Sequence, residues 1–459
     1  MKTLFISEIE KTDHDVISFP VGLLGLQAYL KNNGHPDTFL KQWRTFNKKI
    51  IFKAINEIKP DIVGISCTVR NRAKVFFITS NIKQYYPQIK IVLGGMHATF
   101  MRKQIIQNYR FIDYIVRGEG EVTLKELLDR LQKRESICGL PGISCRDNSG
   151  NYIEGPDREY IDDLDRLPLP DYTSFFKDNF NRTGFQKKDN FIVITSRGCS
   201  YRCSYCSVCS YYQYSWRQRS AEHVISELKY LKEKLNVSSI VFLDDLLTLH
   251  RDNTYKLFNA IIKEKLNLKI SLQTRLDHLT EDMLVLMKHA GVKRIFFGIE
   301  SGSREVLKTF NRRVSLEKMT AAMTHIHRLG IMTKAFIIIG SPGETWNDIR
   351  KTSKLISQLK PHTIVVAPLM ILPGIGIYAR AKKEGIINDH YWLKHVLLPK
   401  YVLMKEGIAG NRRLRLQTVF VLWNFIKLKQ SFKGIFEPLR ILFLNTIEKY
   451  VLLNLKQKL

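Results

Sequence analysis

The sequence predicts an α/β protein in which a doubly wound, flavodoxin-like domain precedes a partial (β/α)6 barrel and a helical C-terminal tail. In two regions, residues 1–135 and 191–390, short β-like apolar runs alternate with amphipathic helical patterns. Strict alternation of strand and helix produces a parallel sheet. A chain of 459 residues is also longer than one ordinary domain. Residues 136–190 are predicted to form a linker, and 391–459 a basic helical region.

In the first domain, Pro20 suits the first turn of a helix and Gly34 suits its C-terminal end. Ligands of doubly wound sheets bind at the carboxyl ends of the strands. The predicted strands are 4–7, 38–40, 61–67, 89–94 and 114–117. The predicted helices are 20–33, 48–58, 71–85, 99–108 and 121–132.

The predicted linker is rich in Asp, Gly, Pro and aromatic residues. Pro168 and Pro170 exclude a helix there, and a small hairpin is predicted near 143–153. In the barrel that follows, chemistry is expected at the strand ends. The predicted barrel strands are 191–195, 239–243, 269–273, 294–298, 334–339 and 363–368. The predicted helices include 221–235, 280–290, 316–329 and 345–359.

The charge balance is strongly basic, with 72 Lys and Arg against 43 Asp and Glu, a formal net charge of +29. Such an excess favours an anionic partner such as a nucleic acid, a membrane surface or a phosphate-bearing cofactor, with an ordinary charged surface as the alternative. The N-terminal apolar run is too short for a signal peptide, and no segment reaches the roughly 18 apolar residues of a membrane span. We therefore expect a cytoplasmic protein, in which the presence of seven cysteines indicates thiolate chemistry and not a disulfide framework.

Three cysteines, Cys199, Cys203 and Cys206, follow the first barrel strand directly. With x3 and x2 spacing they can hold three corners of an iron–sulfur cubane and leave the fourth iron open. A structural zinc site and a four-cysteine cluster that includes Cys209 are the alternatives. The other cysteines, for which no ligand role is expected, are Cys67, Cys138 and Cys145.

This C-x3-C-x2-C motif, with Tyr205 before the last cysteine, resembles the signature of radical S-adenosylmethionine (SAM) enzymes. The resemblance implies a 4Fe-4S cluster whose unique iron is chelated by SAM, and one-electron reduction of SAM to a 5′-deoxyadenosyl radical. An electron donor of the flavodoxin or ferredoxin type is therefore expected. Singly, each strand-end segment has the alternative of a turn with a helix cap. The predicted SAM-binding residues at these ends are Asp244, Asp245, Arg275, Glu300, Ser301 and Gly343.

The first domain carries glycines and hydroxyls at predicted strand ends, where a bulky ligand can approach the backbone. Segments 20–24, 61–66, 92–99 and 117–121, with the connector 163–168, resemble the cobalamin (B12)-binding domain of cobalamin-dependent radical SAM enzymes. A flavin-binding or ligand-free flavodoxin-like domain is the alternative. The sequence around His14 lacks the D-x-H-x-x-G order that supplies an axial ligand to cobalt, so no His ligand is expected. The predicted cobalamin-binding residues are Ser66, Thr68, Gly94, Gly95, His97, Gly118 and Glu119.

The resemblance implies methyl transfer to an unactivated carbon of a small-molecule or lipid substrate. A non-methylating cyclase or rearrangement enzyme is the first alternative, and a redox or cobalamin-carrier protein is the non-enzyme alternative. A methylthiotransferase acting on tRNA or protein is disfavoured, since Cys67 is the lone cysteine of residues 1–135. Nucleic acid is therefore not expected as a partner, and no catalytic residue is assigned.

The C-terminal region is basic, with ten Lys and Arg against two Glu over 411–459. Its apolar stretch 416–426 contains Trp423. Basic helices with such an apolar side can lie in a membrane interface. The sequence therefore leaves two interpretations open, a peripheral membrane contact and a helical cap over the barrel mouth.

Overall fold

The structure is a computed structural model that describes residues 1–9, 19–43, 45–183, 191–393 and 420–421. The strands of its first part are β1 Thr3–Glu8, β2 Thr38–Trp43, β3 Ile62–Ser66, β4 Lys90–Gly94, β5 Tyr114–Val116, β6 Ile143–Arg146 and β7 Tyr152–Glu154. Its helices are α1 Val21–Asn32, α2 Lys48–Ile58, α3 Arg72–Tyr85, α4 Met96–Phe100, α5 Arg102–Asn108, α6 Glu121–Lys133 and α7 Tyr172–Thr183.

The first seven strands form one sheet in the order β2-β1-β3-β4-β5-β6-β7. The first five are parallel, and their order is that of a flavodoxin-like doubly wound sheet, which confirms the prediction. Both faces of the central strands are covered, so that Leu4, Phe5 and Ile6 are all buried. The strand order reverses between β1 and β3, where such sheets open a crevice for ligands.

The hairpin β6–β7 forms as predicted near 143–153, but it belongs to the first sheet instead of standing alone in a linker. β6 pairs antiparallel with β5, with Tyr114 opposite Cys145. β5 would otherwise be an exposed edge strand, and the hairpin covers that edge. The first sheet therefore continues to Glu154.

The predicted helix 99–108 is two helices, α4 and α5, which meet at Met101. α4 begins earlier than predicted because Gly95 turns the chain directly after β4, with φ +87°. The backbone N–H of His97 then donates to the Cys67 carbonyl at 3.1 Å. The side chain of Met101 is buried at the junction.

The second part holds the strands β8 Phe191–Val193, β9 Ser196–Gly198, β10 Trp216–Gln218, β11 Ser239–Phe242, β12 Lys269–Thr274, β13 Val292–Glu300, β14 Met332–Ile339 and β15 Thr363–Pro368. Its helices are α8 Ser207–Tyr211, α9 Ala221–Leu235, α10 Arg251–Lys263, α11 Glu281–His289, α12 Arg304–Thr309, α13 Leu316–Arg328, α14 Trp346–Leu359, α15 Gly376–Lys383 and α16 Asp389–Leu393.

Six of these strands form a parallel sheet in the order β15-β14-β13-β12-β11-β8. This is the partial (β/α)6 barrel that the alternation predicts. The other two, β9 and β10, form a short antiparallel ribbon inserted directly after β8. The ribbon was not predicted, because strands of three residues leave too short a pattern to read.

The chain after β15 packs back onto the first sheet. The apolar core between β1, β3, β4 and their helices also contains Ile375, Ile377 and Trp392. The Gln104 amide donates to Asp389 at 2.8 Å, and the guanidinium of Arg72 lies 5.0 Å from the Trp392 ring. The two parts therefore share a core as well as a surface contact.

The predicted C-terminal tail lies outside the described residues except for 391–393, Phe420 and Val421. The Phe420 ring lies 6.0 Å from that of Trp346, and Val421 is buried. The Asp13-His14-Asp15 segment also lies outside the described residues. Among the helices that are described, none combines the length and apolar character needed to cross a membrane.

Replacing Trp392 tests the shared core. We expect Trp392→Ala to lower the free energy of unfolding by about 3–5 kcal/mol, because it leaves a large cavity between the two parts. Urea denaturation followed by tryptophan fluorescence and circular dichroism measures the change. His390→Ala, at an exposed neighbouring position, is the matched control. A midpoint for Trp392→Ala equal to that of the control would contradict the shared core.

Candidate functional site

The cysteine loop, residues 199–206, begins where β9 ends and lies in the connection between β9 and β10. Gly198 has φ +88°, and a Cβ at this position would lie 2.3 Å from the Ser215 carbonyl oxygen, so only glycine fits here. Upstream, Asp244 Oδ1 accepts four hydrogen bonds from the backbone and side chains of Thr195 and Ser196. The exit from β8 into the loop is therefore closely held.

Asp244 and Asp245 take different positions. Burial raises the pKa of Asp244 to about 6 against the opposing hydrogen bonds of Ser196 and Thr195. Its Oδ1 thus holds the turn after β8. Asp245 accepts from the Gly198 N–H at 3.3 Å, and burial together with the charge of Asp244 raises its pKa to about 7.

The loop brings four thiols together. The Cys209 thiol, in α8, hydrogen-bonds to Cys199 and Cys206, which lowers the pKa of Cys199 to about 7 and lowers that of Cys206. The pKa of Cys209 itself is raised by the same contacts. Cys203 is buried, and burial raises its pKa.

This thiol set has the chemistry of an iron–sulfur site. Soft thiolates suit such clusters, and each thiolate of a cubane binds a different iron. In the described part of the chain, no three His, Cys, Asp or Glu side chains converge on one metal-ion position. Cys209 lies against two of the three loop cysteines, Cys199 and Cys206.

Glu300, at the end of β13, is strained and buried. Its φ of +60° is rare for a residue with a side chain, and the pairing of β13 with β14 shifts register between Gly298 and Glu300. Its carboxylate accepts from the Tyr205 hydroxyl at 3.0 Å and lies 3.7 Å from Arg312. Burial raises the pKa of Glu300, against the opposing effect of Arg312 and Tyr205.

Arg312 is a site residue that the sequence analysis missed. It also donates to the Gly298 carbonyl at 2.7 Å and to Tyr205 at 3.1 Å, so it joins the strand end to the cysteine loop. Its nearby charge works against the raised pKa of Cys203. No motif marks it, because it stands in an Asn-Arg-Arg turn like many surface segments.

Arg275 reaches the same region but is already engaged. It pairs with Asp277 at 2.7 Å, donates to the Arg313 carbonyl, and stacks 4.1 Å from the Tyr201 ring. Its charge contributes to the lowered pKa of Cys199. The side chain is thus close to the loop, and some of its N–H groups already donate to Asp277 and Arg313.

Ser301 and Gly343 lie where strand ends meet the following helices. The Ser301 hydroxyl lies 3.1 Å from that of Thr352 and accepts from the Ser303 N–H at 3.1 Å, so it ties β13 to α14. Gly343 has φ +78° with open space around it. The helix start predicted there is present, since Thr345 forms a capping box with Asp348 before α14.

A cleft of about 510 Å³ lies between the strand ends of the first sheet and the ribbon of the second part. The first sheet contributes backbone and hydroxyls, and the second part contributes Asp245, Ile194 and Leu243. Gly94 and Gly95 form the floor of this cleft. A Cβ on Gly95 would lie 2.9 Å from the Ser66 Oγ and 3.0 Å from the Cys67 carbonyl oxygen, so Gly95 packs against Ser66 and Cys67 more closely than a residue with a side chain could. The predicted residues that line it are Ser66, Thr68, Gly94, Gly95, Gly118 and Glu119.

His97 does not line the cleft, unlike the other predicted cobalamin-binding residues. It points into the core, with its ring 6.3 Å from that of Phe76 and 6.4 Å from that of Trp392. Burial and the charge of Arg72 lower its pKa to about 3. The helix α4 turns this side chain to the opposite side of the Gly94-Gly95 segment.

Glu119 lines the cleft but its carboxylate is occupied by arginines. Arg197 donates to it at 2.9 Å and Arg217 donates twice at 3.0 Å, while Arg197 also donates to Glu121 at 2.7 Å. Burial acts to raise the pKa of Glu119, but Arg217 and Arg197 together hold it below the usual value. We call these four residues the ion-pair cluster. Neither arginine was predicted as a site residue.

Comparison with known proteins identifies two domain families in the chain. The family described as B12 binding domain matches residues 14–128, and the Radical SAM superfamily matches residues 193–356. The chain belongs to the radical SAM superfamily and carries a B12-binding domain.

Three relatives of this radical SAM protein cover most of its length. An uncharacterized methyltransferase of Pyrococcus horikoshii is 28% identical, over 84% of this chain and 83% of the relative. The hopanoid C-3 methylase of Methylococcus capsulatus is 27% identical, over 91% and 84%. The anaerobic magnesium-protoporphyrin IX monomethyl ester cyclase of Rubrivivax gelatinosus is also 27% identical, over 90% and 77%.

Two solved structures share the fold. The cobalamin-dependent SAM radical enzyme OxsB, with aqua-cobalamin bound, has a TM-score of 0.76 at 18% identity, over 98% of this chain and 71% of its own. The radical SAM methyltransferase TsrM of Kitasatospora setae, with cobalamin and a 4Fe-4S cluster bound, has a TM-score of 0.71 at 17% identity, over 84% and 78%. The radical SAM protein therefore has the two-domain α/β fold of these structures.

Gly298 tests the packing around Glu300, because a Cβ there would lie 2.0 Å from the Glu300 carboxylate. We expect Gly298→Ala to lower the free energy of unfolding by about 1–3 kcal/mol. The cost falls when the change is made in a Glu300→Gly background, where the carboxylate is absent. Urea denaturation of the four proteins measures this coupling.

Gly343→Ala is the control, since it strains a positive φ by about 1 kcal/mol without meeting a neighbour. Equal costs of Gly298→Ala in the two backgrounds would show that Glu300 does not occupy this position.

Proposed function

We propose that the chain is a cobalamin-dependent radical SAM enzyme that transfers a methyl group to an unactivated carbon of a small-molecule or lipid substrate. The observation that carries the proposal is the shared wall of two sites. Asp245 lines the cleft and also accepts a hydrogen bond from Gly198, the residue before Cys199. A ligand of the cleft and a cluster on the loop would therefore lie side by side, which favours reaction between them.

The residues fit the three cofactors. Cys199, Cys203 and Cys206 would hold the 4Fe-4S cluster, the strand ends around Glu300 and Arg275 would hold SAM, and the cleft would hold cobalamin. When bound, the cluster and SAM supply a carbon-centred radical, and cobalamin supplies a methyl group.

The chain's own side chains orient these groups and exclude water. The closely packed Gly94-Gly95 floor lets a planar ligand rest on the backbone, and the cleft residues Ile194 and Leu243 present apolar surface to it. Glu300 and Arg312 place opposite charges at the end of β13. These charges would complement the amino and carboxylate groups of SAM. These contacts need no proton transfer by the protein.

The methyltransferase relatives favour this function. One of them is a hopanoid methylase, and hopanoids are lipids, so a lipid substrate is part of the proposal. An electron donor of the flavodoxin or ferredoxin type would reduce the cluster. A peripheral membrane contact through the basic region 391–459 would suit a lipid substrate, and its support is the charge of that sequence.

A radical cyclisation without methyl transfer is the second candidate, supported by the similarity to the magnesium-protoporphyrin ester cyclase. Incubation of the reconstituted protein with hydroxocobalamin, SAM, reductant and candidate lipids separates the two. Methyl transfer releases S-adenosylhomocysteine together with a product heavier by one methylene, whereas cyclisation yields neither.

The three loop cysteines test the cluster. We expect Cys199→Ala, Cys203→Ala and Cys206→Ala each to abolish the binding of a stable 4Fe-4S cluster and the formation of 5′-deoxyadenosine from SAM. Iron and sulfide analysis and chromatography of the nucleoside measure both. Cys145→Ala, a buried cysteine of β6, is the control and retains both properties. Wild-type protein that forms a cluster but no 5′-deoxyadenosine would refute the radical enzyme.

The glycine floor tests the cobalamin site. We expect Gly95→Ala to weaken the binding of hydroxocobalamin by on the order of tenfold, because the added methyl group pushes Ser66 and Cys67 from the floor. Gly150→Ala is matched to it, since Gly150 has φ +86° but open space and lies in the β6–β7 turn. Absorbance titration measures both affinities. Equal affinities for the two variants would show that the cleft floor does not contact the corrinoid.

A further inference from the structure

The ion-pair cluster joins the two domains at the side of the cleft. Glu119 and Glu121 belong to the turn after β5 and the start of α6, whereas Arg197 and Arg217 belong to β9 and β10. The side chains of Glu119, Glu121 and Arg217 are each less than 10% exposed. Buried pairs of this kind are costly to break singly, because the remaining charge has no partner.

Arg197 and Arg217 are direct partners across the antiparallel ribbon. Like charges placed opposite each other on adjacent strands repel. The Glu119 carboxylate lies between them and accepts from both. A ribbon formed by the barrel alone would hold two facing cations. The carboxylate that compensates their charges, Glu119, comes from the first domain.

The same cluster contacts both predicted cofactor sites. Arg197 lies two residues before Cys199, so its ion pairs hold the start of the cysteine loop. Glu119, Glu121 and Arg197 also line the cleft. A ligand that fills the cleft would remove water beside these ion pairs, and charges attract more strongly where water is excluded.

We propose that Glu119 is a positioning residue that couples occupancy of the cleft by a corrinoid to the state of the cysteine loop, through Arg197 and Arg217. The proposal rests on the proposed function. Glu119 acts through the arginines, since its oxygens accept from these two side chains and, at 2.9 Å, from the Ile161 N–H. Coupling between two sites is reciprocal, so the redox state of the cluster must change corrinoid affinity by the same factor.

Glu119→Gln tests the coupling in the full chain reconstituted with its cluster. In wild-type protein we expect cob(II)alamin, added anaerobically so that the corrinoid keeps one oxidation state, to shift the midpoint potential of the cluster, and its affinity to differ on the order of fivefold between oxidised and reduced cluster. In Glu119→Gln this affinity ratio falls to near one. The midpoint potential without corrinoid rises, because a negative charge is removed while two arginines remain. Redox titration followed by electron paramagnetic resonance, with anaerobic absorbance titration of cob(II)alamin, measures these quantities.

The control is Glu126→Gln, the same change on α6 at a carboxylate that pairs with Arg130 and Arg158 outside the cleft wall. It keeps the wild-type ratio. If Glu119→Gln does not fold, Glu121→Gln removes one of the two partners of Arg197 and is expected to give an intermediate ratio.

A wild-type ratio in either cleft variant, or the absence of a potential shift in wild-type protein, would overturn the coupling. Failure of the proposed function looks different, because wild-type protein would then bind no cluster or no hydroxocobalamin at all.

Discussion

The arrangement of the site depends on one buried carboxylate, that of Asp244. A charge withdrawn from water is costly unless hydrogen bonds compensate it. Here one oxygen accepts four hydrogen bonds from Thr195 and Ser196. Even so, burial leaves its pKa raised to about 6. Every donor comes from the two residues that carry the chain from β8 into β9. A different conformation of this turn would remove these hydrogen bonds and leave the Asp244 carboxylate buried without compensation.

The conformation of Glu300 follows a similar rule at the other side of the loop. A residue with φ +60° persists only where its surroundings compensate the strain. Tyr205 and Arg312 provide that compensation by contacting the carboxylate, and Gly298 leaves the space for it. Because Tyr205 is part of the cysteine loop, the strained conformation of Glu300 at the end of β13 depends on the position of that loop.

Much of this architecture can be predicted from the sequence because strand and helix periods are local. The five parallel strands, the six barrel strands and the three loop cysteines all follow from patterns within short windows. The break between α4 and α5 and the membership of the β6–β7 hairpin do not, since they depend on the turn at Gly95 and on the free edge of β5. The direction of His97 likewise depends on packing against Phe76 and Trp392, which lies nearly three hundred residues further along the chain.

The missed residues share a physical reason. Arg197, Arg217 and Arg312 look in sequence like ordinary surface cations of a basic chain. They become site residues because the fold brings carboxylates from distant segments to them. Motifs reveal groups that bind a cofactor directly, whereas the groups that place those ligands are revealed only by tertiary contacts.

The ribbon β9–β10 makes the site a property of both domains. Asp244 holds its start from within the barrel, and Glu119 holds its two arginines from the first domain. Removing the first domain would expose two facing cations beside the cysteine loop, and removing the barrel would leave Glu119 and Glu121 without the arginines that pair with them. The cysteine loop and the cleft are therefore held by shared charges, and neither domain by itself has a complete wall.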